Sequence, residues 1–314
     1  MRQYLLRRLA FLIPVLVGIS IAVFFLLRVA PGDTCELVQG TGATAESLER
    51  CREEFGLNKP LVTQYFDWAA GAVRFDLGES VFAGRPVVEE IMDRFPVTLE
   101  LVVLTVLFTV AIGVPLGVIS AVYQNTAADY TVRVVSIFGL SVPAFWLGTL
   151  AILVPSLLWN YSPPIGYVSF FDDPWTNLRQ FVPPAIVLAF GSSAVLMRLS
   201  RSALLEVLRN DYIRTARSKG LRERVVIGRH ALKNAMIPVV TVVGLQLAAL
   251  LGGAVIIEQI FALPGLGLLT LEAIFRRDYL LVQAIALYIG VAFVLINLAV
   301  DVAYAWLDPR IRYG

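Results

Sequence analysis

Long apolar runs alternate with shorter polar stretches along this chain. The runs without charged residues are Leu9–Leu27, Leu101–Ala128, Val134–Phe171, Gln180–Met197, Asn234–Ile257 and Tyr279–Val300. A helix needs about 20 mostly apolar residues to cross a bilayer. Each run therefore predicts one spanning helix, and the third run also holds a proline-rich exit. The pattern predicts an all-α, polytopic membrane protein with six transmembrane helices.

Composition supports this class. Hydrophobic residues make up 58% of the chain and charged residues 16%, whereas ordinary soluble domains carry roughly a quarter charged residues. The first run follows Arg2, Arg7 and Arg8, as a signal peptide would. Its apolar core is too long for a signal peptide, however, and no small-x-small cleavage site follows it. We expect a retained first span with its N-terminus inside.

The polar segments differ in charge, and the difference predicts orientation. The loop Arg198–Lys233 holds ten basic and three acidic residues, whereas Pro31–Arg94 holds twelve acidic and six basic ones. Basic residues near span ends stay on the cytoplasmic side. The basic loop and both termini, including the tail with Arg310 and Arg312, are therefore predicted to be cytoplasmic. The basic loop lacks aromatic interleaving, which argues against a nucleic-acid site.

The chain divides into an N-terminal span with an external segment (residues 1–95), a five-helix core (residues 96–306) and a short cytoplasmic tail (residues 307–314). We expect Pro96 in the first turn of the second span, where a missing N–H costs nothing. Thr44 and Gly56 are predicted to cap an external helix over Ala45–Phe55.

A second external helix is predicted over Leu61–Phe75. Its apolar face would comprise Tyr65, Trp68, Ala69 and Ala72. We expect the aromatic residues Tyr65, Phe66 and Trp68 to lie at headgroup level.

The only two cysteines, Cys35 and Cys51, both lie in the external segment. Thiols outside the cytoplasm tend to pair. We therefore hypothesise a disulfide that holds the external helix close to the first span. The alternative is a pair of free thiols without a role.

The segment Asp211–Pro238 is the most informative polar stretch. Asn210 or Asp211 can cap a helix over Tyr212–Lys219, and Gly220 is placed to end it. The small and apolar residues would form one face, suited to a groove on a partner, while the charges set orientation. The alternative is a solvated loop without a partner. The candidate contact residues are Asp211, Tyr212, Ile213, Arg214, Thr215, Ala216, Arg217, Lys219 and Gly220.

No enzyme site is predicted. His230 is the single histidine, so a histidine-based metal cluster is excluded, and no G-x-x-x-x-G-K-[ST] phosphate loop is present. The apolar runs contain no acidic residue, whereas an ion-coupled carrier normally places acids in mid-span. A secondary transporter is therefore a distant alternative, and a membrane scaffold is a third.

The string Tyr212–Leu221, followed by Arg229–Ala235 and Ile237-Pro238, resembles the EAA loop of type I ABC importer permeases. Within them the chain is similar to the peptide/nickel family, especially the first permease subunit of dipeptide and oligopeptide systems. Further similar strings, in family order, are Arg28–Asp33, Asp76–Ser80, Pro96–Leu101, Pro163–Tyr167, Phe261–Gly267 and Arg277–Tyr279. The chain departs from the pattern with Arg214 for the usual Glu, Thr215 for the next Ala, and Leu280 for the usual Pro.

The resemblance implies a type I permease fold in a prokaryotic cytoplasmic membrane. Tyr212–Gly220 would be the coupling helix that docks on separate ATPase subunits, which use ATP and magnesium; this chain would bind no cofactor itself. The other partners implied are a second homologous permease, membrane lipid and an external solute-binding protein. Short peptides are the expected cargo, with nickel chelates, glutathione and oligosaccharides as alternatives.

The segment Glu258–Asp278 predicts a short external hairpin, because Pro264, Gly265 and Gly267 break the helix and Leu268–Phe275 resumes it. We expect it to contact the binding protein or plug the external mouth, with Phe261 also contributing. The alternative is a plain loop.

Overall fold

The computed structural model describes residues 2–29, 35, 44–80 and 82–307, without the side chains of residues 2–12, 253, 301 and 303–307. The predicted cytoplasmic tail beyond residue 307, with Arg310 and Arg312, lies outside the described residues, as does Pro31–Asp33. The described part is helical and contains one isolated β-bridge, between Glu79 and Pro86, and no strand.

The helices follow one another in chain order. They are α1 (Arg2–Val29), α2 (Ala45–Glu54), α3 (Leu61–Val73), α4 (Val87–Val122), α5 (Ala127–Ser141), α6 (Ala144–Trp159), α7 (Pro174–Leu208), α8 (Asp211–Ser218), a turn at Glu223–Val225, a π-helix (Val226–Ala231), α9 (Leu232–Gly253), α10 (Val255–Ile260), α11 (Leu266–Phe275) and α12 (Tyr279–Leu307).

Four helical stretches in the described residues are long and apolar enough to cross a membrane. They are Val87–Val122, Pro174–Leu208, Glu223–Gly252 and Tyr279–Val300. The pair α5 and α6 would supply a fifth span, and Ile13–Val29 is a shorter apolar stretch within α1. The exact count of six spans stays a prediction.

The third apolar run was predicted to hold one helix, and this was wrong. The helix breaks at Val142 and Pro143, and α5 and α6 are bent by 95° relative to each other. Val142 has an extended backbone, with φ −88° and ψ 123°. A proline disfavours the helical conformation in the residue before it, which accounts for the break.

The start of the second long span was also predicted wrongly. The helix α4 begins at Val87 and not at Pro96, which lies in its interior. The residues between these two positions are partly charged, so hydropathy alone placed the helix start too late. Glu89 and Glu90 occupy the first turn, where negative charge is favourable near the helix N-terminus.

The chain folds into two compact units. The first comprises Met1–Thr98 and Pro264–Val294. Its core contains Val87 and Ile91 of α4, Leu266 and Leu269 of α11, and Ile285 of α12, all buried. The Thr98 hydroxyl accepts a hydrogen bond from the Leu266 amide at 2.8 Å. This bond gives one of the free N–H groups at the start of α11 a partner.

The part of the first unit between α1 and α4 contains the two cysteines. The structure joins Cys35 and Cys51 in a disulfide with a Cα–Cα distance of 6.0 Å, which is the pairing hypothesised from the sequence. Thr44 caps α2 through a capping box with Ser47, as predicted for Thr44. Gly56 follows the helix with φ +63°, and its amide donates to the Glu53 carbonyl.

The second unit comprises Leu99–Leu263 and Leu295–Gly314. Its central helix is α7, whose N-cap residue Asp173 accepts hydrogen bonds from the Trp175 and Thr176 amides. Hydrogen bonds from Thr176 hold the pKa of the Asp173 carboxyl below its ordinary value. A Cβ added at Gly117 of α4 would lie 2.6 Å from the Met197 carbonyl oxygen of α7. Helices in membranes approach closely at such small residues.

Candidate functional site

The helix α8 forms the core of the basic loop, and it begins one residue earlier than the sequence predicted. Asn210 is the N-cap residue, but its side chain makes no capping hydrogen bond. Its backbone carbonyl instead accepts from the amides of Ile213 (3.0 Å) and Arg214 (3.3 Å). Asp211 is the first helical residue, and its negative charge is favourable at the helix N-terminus. Of the two predicted capping residues, Asn210 occupies the N-cap position, but the predicted side-chain hydrogen bond is not made.

Gly220 ends α8 in the way that the sequence predicted. Its φ is +77°, a left-handed conformation that glycine adopts without a steric cost. The Gly220 amide donates to the Arg217 carbonyl at 2.9 Å, and the Leu221 amide donates to the Ala216 carbonyl at 3.4 Å. This pair of bonds is the Schellman motif. The chain can therefore turn sharply after one short helix.

The apolar face of α8 packs inside this chain. Ile213 is fully buried and Ala216 is 7% exposed. Both belong to a cluster whose other buried members are Ala121, Ala203, Leu204, Val226, Ala231 and Ala235. The sequence predicted that Ile213 and Ala216 would enter a groove on a partner together with Tyr212 and Thr215. The two buried side chains are used in the core of the second unit, so the exposed residues of the helix remain for the predicted contact with a partner.

The exposed face of α8 is polar and mainly basic. It consists of Asp211, Tyr212, Arg214, Thr215, Arg217, Ser218 and Lys219, followed by Gly220. The Arg214 side chain is 78% exposed and lies 3.6 Å from Asp211, an ion pair that is worth little at this exposure. The Tyr212 hydroxyl accepts a hydrogen bond from the Asn234 amide group at 2.8 Å. The surface that α8 offers is therefore charged at its centre.

The loop after α8 is bridged by an ion pair and leads directly into the next helices. Arg217 donates to the Glu223 carboxylate through two nitrogens, at 2.7 and 3.3 Å. The chain then passes through the π-helix Val226–Ala231 into α9 without an intervening loop. The π-helix is rare and occurs frequently at functional sites. The basic loop is thus a folded extension of a span.

An ion pair joins α5 to α7, the helix that precedes α8. It was not predicted from the sequence. Asp129 of α5 is fully buried, and both its oxygens accept hydrogen bonds from Arg201 of α7 at 2.8 Å. The Ser120 hydroxyl and the Asn125 amide also donate to Asp129. Asp129 and Arg201 are 72 positions apart, so spacing gives no signal. A carboxylate directly after an apolar run was the only hint.

The residues proposed for the external hairpin are mostly buried. Phe261, Gly265 and Gly267 are buried, and Pro264 is half-buried. The helix predicted at Leu268–Phe275 is present and begins at Leu266. Phe275, which is 76% exposed, is the more accessible apolar side chain on this hairpin.

The fold has the apolar helices of a polytopic membrane protein, and comparisons with known proteins give its family. Residues 113–313 match the family model described as binding-protein-dependent transport system inner membrane component. Residues 1–102 match the model for the N-terminal part of such membrane components. The chain therefore belongs to this family and is a multi-pass protein of a prokaryotic inner membrane.

Relatives of known name match over the whole chain. A putative peptide transport system permease protein of Brucella abortus (strain 2308) is 43% identical over 313 residues, covering 100% of both chains. The dipeptide transport system permease protein DppB of Escherichia coli K12 is 41% identical, covering 100% of this chain and 99% of the relative.

Solved structures show the same fold. An inward-facing structure of the MetNI methionine ABC transporter aligns with a TM-score of 0.58 and 19% identity, over 70% of this chain and 97% of the other. A crystal structure of an amino acid ABC transporter aligns with a TM-score of 0.54 and 14% identity, over 69% and 94%. The chain thus has the fold of ABC importer permeases.

Proposed function

We propose that this chain is the membrane-spanning subunit of an ATP-driven importer and that it carries short peptides. The full-length identity to permeases named for peptide and dipeptide transport supports the cargo. Nickel chelates, glutathione and oligosaccharides are the alternatives that an uptake assay must separate.

The energy for transport would come from separate ATPase subunits, because the sequence has no phosphate-binding loop of its own. We propose that they dock on the exposed face of α8. Arg214, Arg217 and Lys219 project charge from this face, so the matching surface would carry acidic side chains. Electrostatic complementarity of this kind mainly sets orientation and the rate of association.

The packing of α8 supports a role in transmitting motion. Ile213 is buried against residues that include Ala203 and Leu204 of α7, and the Asp129–Arg201 pair fastens α7 to α5. A displacement of α8 would therefore have to move packed helices and could not be absorbed by a loose loop. Alternating access requires two such arrangements, each favoured differentially by ATP or by loaded binding protein.

The proposed assembly has four kinds of component. Besides this chain it contains a second homologous permease, one or two cytoplasmic ATPase subunits that use ATP and magnesium, and an external solute-binding protein. The basic loop would then face the cytoplasm, in keeping with the distribution of Lys and Arg.

The test is uptake into proteoliposomes. We expect no ATP hydrolysis or uptake by this chain alone, and ATP-dependent uptake of a labelled dipeptide by the full assembly. Uptake by the chain alone under a proton gradient would instead indicate a secondary carrier. Binding without uptake would indicate a scaffold. Uptake of a nickel chelate that excess dipeptide does not reduce would overturn the peptide assignment.

A further inference from the structure

The helix α3 has two apolar stripes, and only one of them is covered. Tyr65 and Trp68 face α1: the Tyr65 hydroxyl lies 3.0 Å from the Ser20 hydroxyl, and its ring centroid lies 5.3 Å from that of Phe24. These two rings, which the sequence predicted at headgroup level, therefore pack within the chain. The neighbouring stripe consists of Val62, Phe66 and Val73, which are 60%, 64% and 82% exposed.

The exposed stripe carries no charge of its own. Asp67 is the only charged residue of α3, and it forms an ion pair with Lys59 at 2.7 Å. Interfacial helices characteristically place an apolar face towards acyl chains and a polar face towards water. The exposed stripe fits the first of these surroundings.

The chain after α3 displays a large aromatic ring at a strained position. Phe75 has φ +62° and is 85% exposed. The Phe75 amide donates to the Ala72 carbonyl at 3.1 Å and the Asp76 amide to the Gly71 carbonyl at 3.0 Å. This is the arrangement in which glycine is usual. A bulky residue with positive φ is a conformational outlier, and such strain clusters at functional positions.

Phe75 also lines an apolar groove of about 230 Å³. The other walls include Val88, Ile91 and Met92 of α4 and Ala284 and Leu287 of α12. Both helices contain long apolar spans. Acidic residues are interspersed with the groove residues along α4, so this end of the span lies where the bilayer meets water.

We propose that this groove holds an acyl chain of a membrane phospholipid, with Phe75 as one wall, and that Val62, Phe66 and Val73 lie in the same leaflet. Lipid is favoured over a protein partner because two walls of the groove belong to helices that are long and apolar enough to cross a membrane. The site does not depend on the identity of the cargo.

The position of α3 is tested by labelling the chain in nanodiscs. Phe66→Cys, labelled with bimane, is compared with Thr63→Cys on the side of the helix that carries Asp67, using lipids with a quencher on the acyl chain. We expect strong quenching at residue 66 and little at residue 63. If residue 66 is reached by an aqueous quencher and becomes protected only in the assembled importer, a protein partner covers the stripe and the proposal fails.

The groove is tested by native mass spectrometry of the detergent-purified chain. Phe75→Gly keeps the turn and removes the ring, so we expect loss of a bound phospholipid without any loss of thermal stability. Phe171→Gly is the matched control, because Phe171 is 93% exposed and does not line this groove; it should retain the lipid. Equal lipid retention in both variants would overturn the acyl-chain site.

Discussion

Two short helices, α3 and α8, pack in the same way but differ in the polarity of their exposed residues. Each buries one apolar face within its own unit, through Trp68 in α3 and Ile213 in α8. The exposed stripe Val62, Phe66 and Val73 of α3 is apolar, whereas the exposed face of α8 carries Arg214, Arg217 and Lys219. The buried face therefore explains why each helix is held in place, and the exposed face indicates what it meets.

The two helices also end with the same hydrogen-bond pattern but with different residues. Gly220 follows α8 and Phe75 follows α3, both with positive φ. Glycine adopts a positive φ without strain, whereas phenylalanine is strained in the same conformation. The backbone conformation alone explains the residue at position 220. At position 75 it does not, which indicates that the exposed Phe75 ring has a role of its own.

The largest expected difference in the free energy of unfolding is between two ion pairs, Asp129–Arg201 in the second unit and Lys59–Asp67 beside α3. Asp129→Asn leaves Arg201 partly buried without its charged partner, and we expect a loss of about 3–5 kcal/mol in the free energy of unfolding. Asp67→Asn breaks an exposed pair, whose side chains are both 55% accessible, and should cost at most about 1 kcal/mol. Denaturation in detergent measures both, and equal losses would contradict the difference in burial.

The next largest difference in stability is between the buried face of α8 and the exposed stripe of α3. Ile213→Ala removes a fully buried side chain, and we expect a loss of about 2–5 kcal/mol. Phe66→Ala removes an exposed ring and should change the stability in detergent by less than about 0.5 kcal/mol. Thermal unfolding of the two variants checks this, and a larger effect at Phe66 would show that its ring packs within the chain.

The smallest expected difference concerns the turns. Gly220→Ala adds a Cβ that meets nothing within 4 Å, so its expected cost of about 1 kcal/mol is due to the backbone alone. Phe75→Gly relieves the same kind of strain and should leave stability unchanged or raise it by up to about 1 kcal/mol. Thermal unfolding measures both variants. A loss of stability in both would contradict the strain inferred at Phe75.

Local signals in the sequence predicted much of the fold. Runs of apolar residues indicated the spans, and Thr44 and Gly220 marked helix ends because capping and left-handed turns depend on local chemistry. The break at Pro143 was missed because an apolar run containing proline is also compatible with one span. Hydropathy also placed the start of α4 too late, because it locates the apolar part of a helix and not the polar residues by which the same helix extends beyond that part.

The candidate site was only partly predictable. The charge and glycine pattern located α8, but a face with apolar residues does not reveal whether it packs in its own chain or on a partner. The surroundings of Ile213 and Ala216 depend on the positions of Ala203 and Ala235. These two alanines belong to other helices, α7 and α9, so their approach to α8 depends on tertiary packing. The Asp129–Arg201 pair likewise depends on tertiary packing.

The exposed basic face of α8 is the surface that we expect the ATPase subunit to bind. Arg214→Ala and Arg50→Ala form a matched pair, because their side chains are 78% and 77% exposed and each arginine pairs with an acid on its own helix. The measurement is the affinity of the purified permease for the ATPase subunit. We expect Arg214→Ala to weaken binding about tenfold, because arginine is enriched among the few residues that dominate the binding energy of an interface, and Arg50→Ala to leave it unchanged. Equal affinity in both variants and the natural chain would contradict docking on this face.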